Sequence, residues 1–292
     1  MVAGPYGLTW REFASRVWQA TQRDDIFGLA AQLSYYFLLA VFPFFIFLTT
    51  LLGLLAKTGT EIYNNLLSNA ALLLPDTAFQ LVVTTLKEIQ LGAGSGKLSL
   101  GILIALWAAS SGMLAMIEGL NRAYEVKEER PWWKERLISI ALTICLSVFL
   151  IVSIILVLYG SRIAEFVANH FGLSSYFTFL WNLLQWPVAL IFVLLALTLV
   201  YRYAPHITRG RWHQMAPGAV TGTVLWLTVS LLFRLYLQFF NSYNKTYGSL
   251  GAVIVLMLWL NLSSAAILLG AEVNAVITSR ALERKQEVVK AG

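Results

Sequence analysis

Gln32, Ser34, Tyr35, Tyr36 and Pro43 stand in or beside the run "LAAQLSYYFLLAVFPFFIF" (29–47), a stretch otherwise fit for hydrocarbon. Polar groups recur in equally apolar surroundings: Ser110 and Ser111, then Glu118, Asn121 and Arg122, then Asn261 and Ser263, then Glu272 and Asn274. Near the middle of a membrane helix a charged side chain costs on the order of 2.5–3.5 kcal/mol, so it is kept where it pairs, hydrates or lines a cavity. The chemistry open to this set is the binding and passage of a polar or amphiphilic group. Hydrolytic chemistry would need a metal cluster or a water-exposed acid and base. Here His170, His206 and His213 are isolated, and no H-x-x-x-H or H-x-H-x-D-H arrangement occurs. We expect no enzymatic activity, no catalytic residue, no cofactor and no metal site. The single cysteine, Cys145, allows neither an intramolecular disulfide nor a cysteine metal cage.

The elements that must hold these groups follow from composition. Of 292 residues 58% are hydrophobic and 12% charged, and the mean hydropathy is +0.70, whereas a soluble domain carries about 25% charged residues. Apolar runs long enough to cross a membrane at ~20 residues each fall near 28–56, 98–120, 137–160, 178–201, 217–240 and 250–278. They do not alternate as β-barrel strands do, so helices are left to satisfy their backbone groups in lipid. The fold class expected is an all-α integral membrane protein of six transmembrane helices, forming a single bundle domain over 1–292. Arg11, Glu12, Arg16, Arg23, Asp24 and Asp25 precede the first run, which argues against a cleaved secretory signal.

Most Lys and Arg residues gather on one side: Arg11, Arg16 and Arg23; Arg122, Lys127, Arg130, Lys134 and Arg136; Arg202, Arg209 and Arg211; Arg280, Arg284, Lys285 and Lys290. The other side holds Lys57, Lys87, Lys97, Arg162 and Lys245, with Arg234 inside a span. The positive-inside rule then places both termini in the cytoplasm. The basic segments favour anionic lipid headgroups on that side and give no folded basic face for nucleic acid.

Thr9 and Glu12 stand in a capping arrangement, and Trp10, Phe13, Ala14, Val17, Trp18 and Thr21 recur at helical spacing. This predicts an amphipathic interfacial helix over 9–24, or a soluble helix packed on a loop. Two apolar stripes separated by Pro75 and Asp76 predict two short outer-face helices within 57–97, ended by a flexible "GAGSG" at 92–96. Trp132 and Trp133 beside Lys134 and Arg136 read as an interfacial anchor.

Helical rise and span direction sort the polar groups into layers. Gln32, Ser34, Glu118, Asn121, Arg122, Glu272 and Asn274 fall at the inner side; Pro43, Ser110, Ser111, Asn261 and Ser263 fall near the middle. Glu118 and Arg122 can pair at i, i+4. Glu272 has no basic neighbour in its own helix, and the expected partner is Arg122 across helices, with Gln32 nearby. Either these groups lock helix packing, or they line a cavity open to the cytoplasmic side that Ser110, Ser111, Asn261 and Ser263 extend inward. Pro43 and Pro187 kink their spans or open a site there.

"AAQLSYYFLLAVFPFFIF", "EGLNRAYEVKEERPWWKERL" (118–137), "APHITRGRWHQMAPGAVTGTVLW" (204–226) and "YNKTYGSLGAVIVLMLWLNLSSAAILLGAEVNA" (243–275) resemble the YihY/BrkB family of bacterial inner-membrane proteins. The residues that carry the resemblance are Ala31, Tyr35, Tyr36 and Pro43; Pro217, Gly218 and Ala219; Tyr247, Gly248 and Ser249; and Gly270, Ala271, Glu272 and Asn274. The resemblance implies a multi-pass protein of the cytoplasmic (inner) membrane, linked to envelope integrity, with lipid or solute transport proposed for the family. It also brings an old ribonuclease BN-like label, which the isolated histidines do not support. The expected function is transport or flipping of a lipid or amphiphile; a small-solute carrier and a non-transporting scaffold are the alternatives. His206 and His213 are expected in a solvated or interfacial loop with Arg209 and Arg211, in reach of a headgroup.

Overall fold

The computed structural model describes residues 8–55, 68, 83, 95–171, 175–207, 212–239 and 249–291. Every regular element among them is an α-helix: α1 (Trp10–Arg23), α2 (Ile26–Leu55), α3 (Ser95–Ala123), α4 (Trp132–Phe171), α5 (Ser175–Tyr203), α6 (Trp212–Phe239) and α7 (Ser249–Ala291). Six of these, α2 to α7, are long and apolar enough to cross a membrane. At 43 residues α7 runs well past the ~20 needed for a crossing. The two outer-face helices expected within 57–97 lie outside the described residues apart from Ser68 and Val83, both helical. The expected flexible "GAGSG" is corrected at its end, where α3 already begins at Ser95.

The chain divides into two compact units. One comprises Met1–Tyr35, Ala115–Ile138 and Leu190–Gly292; the other comprises Tyr36–Leu114 and Ser139–Ala189.

In the first unit α1 is set by a complete capping box. The Thr9 hydroxyl accepts from Glu12 N–H at 3.3 Å, and Glu12 Oε2 accepts from Thr9 N–H at 2.8 Å. Ala20 and Thr21 are buried while Trp10 and Trp18 stay exposed, and Arg16 meets Glu283 of α7 at 3.3 Å. The center of this unit is the crossing of α6 and α7. Gly218 and Gly222 lie one helical turn apart on α6, opposite Ala266 and Gly270 on α7. A Cβ at Gly270 would stand 2.6 Å from the Gly218 carbonyl oxygen and 2.5 Å from the Tyr201 hydroxyl. Small residues at this spacing let two membrane helices approach to backbone contact.

The approach is used to satisfy polar backbone. Pro217 interrupts the hydrogen-bond ladder near the start of α6, and Asn274 serves the groups beside it. Its Oδ1 accepts from Gly218 N–H at 2.7 Å, and its Nδ2 donates to the Met215 carbonyl at 3.0 Å. The Tyr201 hydroxyl, wholly buried, donates to the Ile267 carbonyl at 2.6 Å. Trp226 and Trp259 meet edge-on further along the pair, 6.5 Å between ring centers.

In the second unit Phe47, Ala105 and Leu106 form a buried cluster joined by Ile46 and Ile140. Gly112 lets α3 close on Ala40 and Phe37 of α2, where a Cβ would sit 2.9 Å and 3.2 Å from their side chains. Hydroxyls here serve their own helices: Ser110 donates to Trp107, Thr143 to Ser139 and Ser147 to Thr143, all at 2.7–2.8 Å.

Gly270→Ala is expected to lower the thermal midpoint in detergent by the equivalent of about 1–3 kcal/mol, the usual cost of overpacking. Asn274→Ala should cost a similar amount by stranding a buried N–H, about 1–3 kcal/mol. A G270A protein that melts like the wild type would remove this crossing from the account of the fold.

Candidate functional site

The predicted site residues divide between the two units. In the second, Tyr36 is exposed, Pro43 is half-buried, and the hydroxyls of Ser110 and Ser111 both turn to the Trp107 carbonyl of their own helix. Ser110 and Ser111 therefore bond back to the backbone of their own helix. In the first unit Gln32 and Tyr35 are exposed, Ser34 is buried and donates to Ala31 at 2.7 Å, and Asn261 is half-buried. Ser263 is buried, and its hydroxyl finds no partner among the described residues. Asn274 belongs to the α6–α7 crossing described above.

The expected pairing of Glu272 with Arg122 is corrected. Arg122 meets Glu118 at 3.7 Å along its own helix, and both side chains are 58% exposed. Both occupy the outward face of α3, so neither needs a partner from another helix. Gln32 is likewise turned away. Of the three residues expected to converge, Glu272 alone lies inside: it is 0% exposed, and neither carboxylate oxygen accepts a hydrogen bond among the described residues.

What surrounds Glu272 was not singled out from the sequence. The Asp24 carboxyl lies within hydrogen-bonding reach of it, and Arg23 and Glu125 are the other charged groups around it. Arg23 donates to both Asp24 oxygens, at 3.1 and 3.0 Å, and also pairs with Glu125. The Asp24 hydrogen bonds raise the Arg23 pKa above its ordinary value, with the charges of Asp24 and Glu125 adding to the effect over the cost of burial. Asp24 ends α1 and Glu125 follows α3, so this arginine ties two helix ends together over Glu272. A cavity of about 530 Å³ lies against these groups, lined by α1 (Arg16, Gln19, Ala20, Arg23), by Tyr124 and Glu125, and by α7 (Glu272, Ala275, Val276, Ser279, Glu283).

Both non-glycine residues with positive φ among those described border this place: Asp25 (φ 47°) and Glu125 (φ 54°). Glu125 closes a Schellman motif: Val126 N–H donates to the Asn121 carbonyl and Glu125 N–H to that of Arg122, both at 2.9 Å. The left-handed residue of that motif is usually glycine. A glutamate there bears a steric cost of roughly 1–2 kcal/mol, and its carboxylate is what reaches Arg23. Backbone strain of this kind gathers at functional sites.

The turn that carries Glu125 is clasped from behind. Asn121 is buried; its Nδ2 donates to Glu128 at 2.8 Å and its Oδ1 accepts from His206 N–H at 2.8 Å. Arg130 forks onto Glu128, at 2.7 and 2.5 Å, and donates to the Ala204 carbonyl at 2.7 Å. It thereby caps the C-terminal end of α5, where a cation is favoured. Burial pushes the Glu128 carboxyl up, but the hydrogen bonds from Arg130 and Asn121 outweigh it and hold the group at about 2. Asn121 is thus a clasp residue, a different role from the cavity lining expected of it. His206, expected in a solvated loop, is fixed through its backbone; the His213 side chain lies outside the described residues.

A family model described as "Virulence factor BrkB" matches residues 17–291. The chain belongs to the BrkB family. Its relatives include the ribonuclease-like protein YfkH of Bacillus subtilis (strain 168), 37% identical over 251 residues, 86% of this chain and 90% of that protein. A UPF0761 membrane protein of Tolumonas auensis is 27% identical over 279 residues, 95% of this chain and 89% of the relative. No solved structure matches. The BrkB-family stretch "GAEVNA" thus carries two distinct jobs: Asn274 repairs the start of α6, and Glu272, two residues earlier, is buried at the border of the cavity.

Two outcomes follow for this BrkB-family chain. Glu125→Gly should leave thermal stability unchanged or raise it by up to about 1 kcal/mol, because relief of the left-handed strain exceeds the loss of an exposed ion pair; a clear drop in the melting midpoint would deny the strain. Because the Glu128 pKa is depressed in the folded chain, its contribution is complete above its ordinary value of 4.5 and is lost as pH falls toward about 2. Amide exchange protection of His206 should therefore fall between pH 5 and roughly 2, and Glu128→Gln should flatten that dependence while lowering protection at neutral pH.

Proposed function

We propose that this multi-pass membrane protein moves an amphiphile, taking its polar head into the Glu272 cavity at one end of the spans. The observation that carries the reading is Glu272 itself: fully buried, without a hydrogen-bond donor among the described residues, and one of the residues that border about 530 Å³ of space. A carboxylate so placed costs several kcal/mol unless something brings it a proton or a cation. A purely structural role would have supplied that partner from the chain, as it does for Asn274 and Arg130. The cavity walls mix charged groups with Ala20, Ala275 and Val276, which suits a ligand that is polar at one end.

The distribution of Lys and Arg supports placing both termini and this cavity on the cytoplasmic side of a bacterial inner membrane. The exposed Trp10 and Trp18 of α1 and Trp132 and Trp133 of α4 suit the headgroup zone there, with anionic lipids as neighbours. We read the protein as non-enzymatic, although one relative has a ribonuclease-like name. Among the described residues no group of three or more His, Cys, Asp or Glu gathers as a metal cage would, and the acidic groups at the cavity are tied to arginines or buried.

The test is reconstitution into liposomes with fluorescent phospholipid, reading leaflet exchange. Wild type is expected to accelerate exchange and Glu272→Ala to abolish most of the gain. Purified protein that moves no lipid with or without an ion gradient would overturn the reading; RNA cleavage by the same preparation, lost in E272A, would replace it with an enzyme.

A further inference from the structure

Charge is unevenly spread along the cavity. At the Glu272 end one guanidinium, Arg23, stands against three carboxylates, Asp24, Glu125 and Glu272. Arg23 is already engaged by the first two, so the third is left over. At the other end charge is balanced: Arg16 and Arg280 both reach Glu283, at 3.3 and 2.9 Å, and the Glu12 carboxylate also acts on both.

Resting on the amphiphile reading above, we propose that the headgroup bound here is zwitterionic, an ammonium joined to a phosphate, with the ammonium on Glu272 and the phosphate turned toward Arg16. An ionised carboxylate only accepts hydrogen bonds, and an ammonium only donates them, three at a time. Neither Glu272 oxygen has an N–H or hydroxyl donor among the described residues, and the Asp24 carboxyl beside it gives an ammonium a second acceptor. A headgroup with phosphate and hydroxyls alone would bring no positive charge to a corner that already holds three carboxylates. A lone proton would answer the charge of Glu272 but would leave the space unexplained: the cavity is of the size of a small-molecule site. Arg16 and Arg23 lie seven residues apart on α1, about 10 Å along the axis, and their long side chains shorten that span.

The experiment uses the full chain in phosphatidylglycerol nanodiscs doped with phosphatidylethanolamine or with its N-acetylated form, which keeps the shape and loses the cation. Lipid retained by the protein is read by native mass spectrometry, and leaflet exchange is measured separately in liposomes. The amine lipid should be retained about tenfold over the N-acetyl lipid and over phosphatidylglycerol, the worth of one charge-assisted hydrogen bond, and Glu272→Gln should bring the ratio near one. Equal retention of all three lipids by wild type overturns the inference and leaves lipid movement to be judged by its own assay. An E272Q protein that keeps the preference also overturns it and makes the carboxyl a proton holder. Should E272Q fail to fold, the N-acetyl comparison on wild type decides alone. Selective retention without any leaflet exchange keeps the headgroup chemistry and removes the transport reading. Binding of free phosphoethanolamine with no lipid retained keeps the headgroup chemistry and assigns the site to a soluble ligand.

Discussion

Backbone contact between α6 and α7 is the constraint on which the first unit depends. Hydrocarbon gives no water to an unpaired N–H or carbonyl, so a helix interrupted by Pro217 can persist there only if another helix serves its polar groups. Asn274 does so, and it can reach because Gly218, Gly222 and Gly270 leave no side chain between the two backbones. The Tyr201 hydroxyl then fills the remaining corner and bonds to α7. Small residues, the proline and the buried carboxamide thus form one device, in which each part makes the others tolerable.

That device fixes the part of α7 around Asn274, and with it the direction of Glu272. Glu272 and Asn274 are two positions apart, so they leave the helix on faces about 200° apart. Holding the asparagine against α6 turns the glutamate toward α1 and the end of α3. There the chain accepts backbone strain at Asp25 and Glu125 to bring carboxylates beside Arg23. The clasp of Asn121, Glu128, Arg130 and His206 keeps that strained turn from relaxing.

Several elements were legible before any coordinates. The six spans and the capping box at Thr9 follow from hydropathy and from a local motif. Convergence of the polar layer was not legible. Depth says how far along a span a residue lies and nothing of its azimuth, so Gln32, Arg122 and Glu272 fell at one level yet face different ways. Asp24 and Glu125 were passed over because acidic residues next to basic ones just outside a span look like ordinary solvated ends.

The sequence by itself determined which stretches become helices and which of them can enter a membrane, because hydropathy and capping act over a few neighbouring residues. It also determined the cost of each polar group at its depth. The tertiary structure alone decided which of those costs are met and by whom: Asn274 by the backbone of α6, Arg130 by the end of α5, Arg122 by its neighbour Glu118, and Glu272 by no N–H or hydroxyl donor among the described residues. The reason is geometric, since a hydrogen bond or ion pair requires contact within a few ångströms. Residues as far apart in sequence as 24 and 272 meet only through the packing of whole helices.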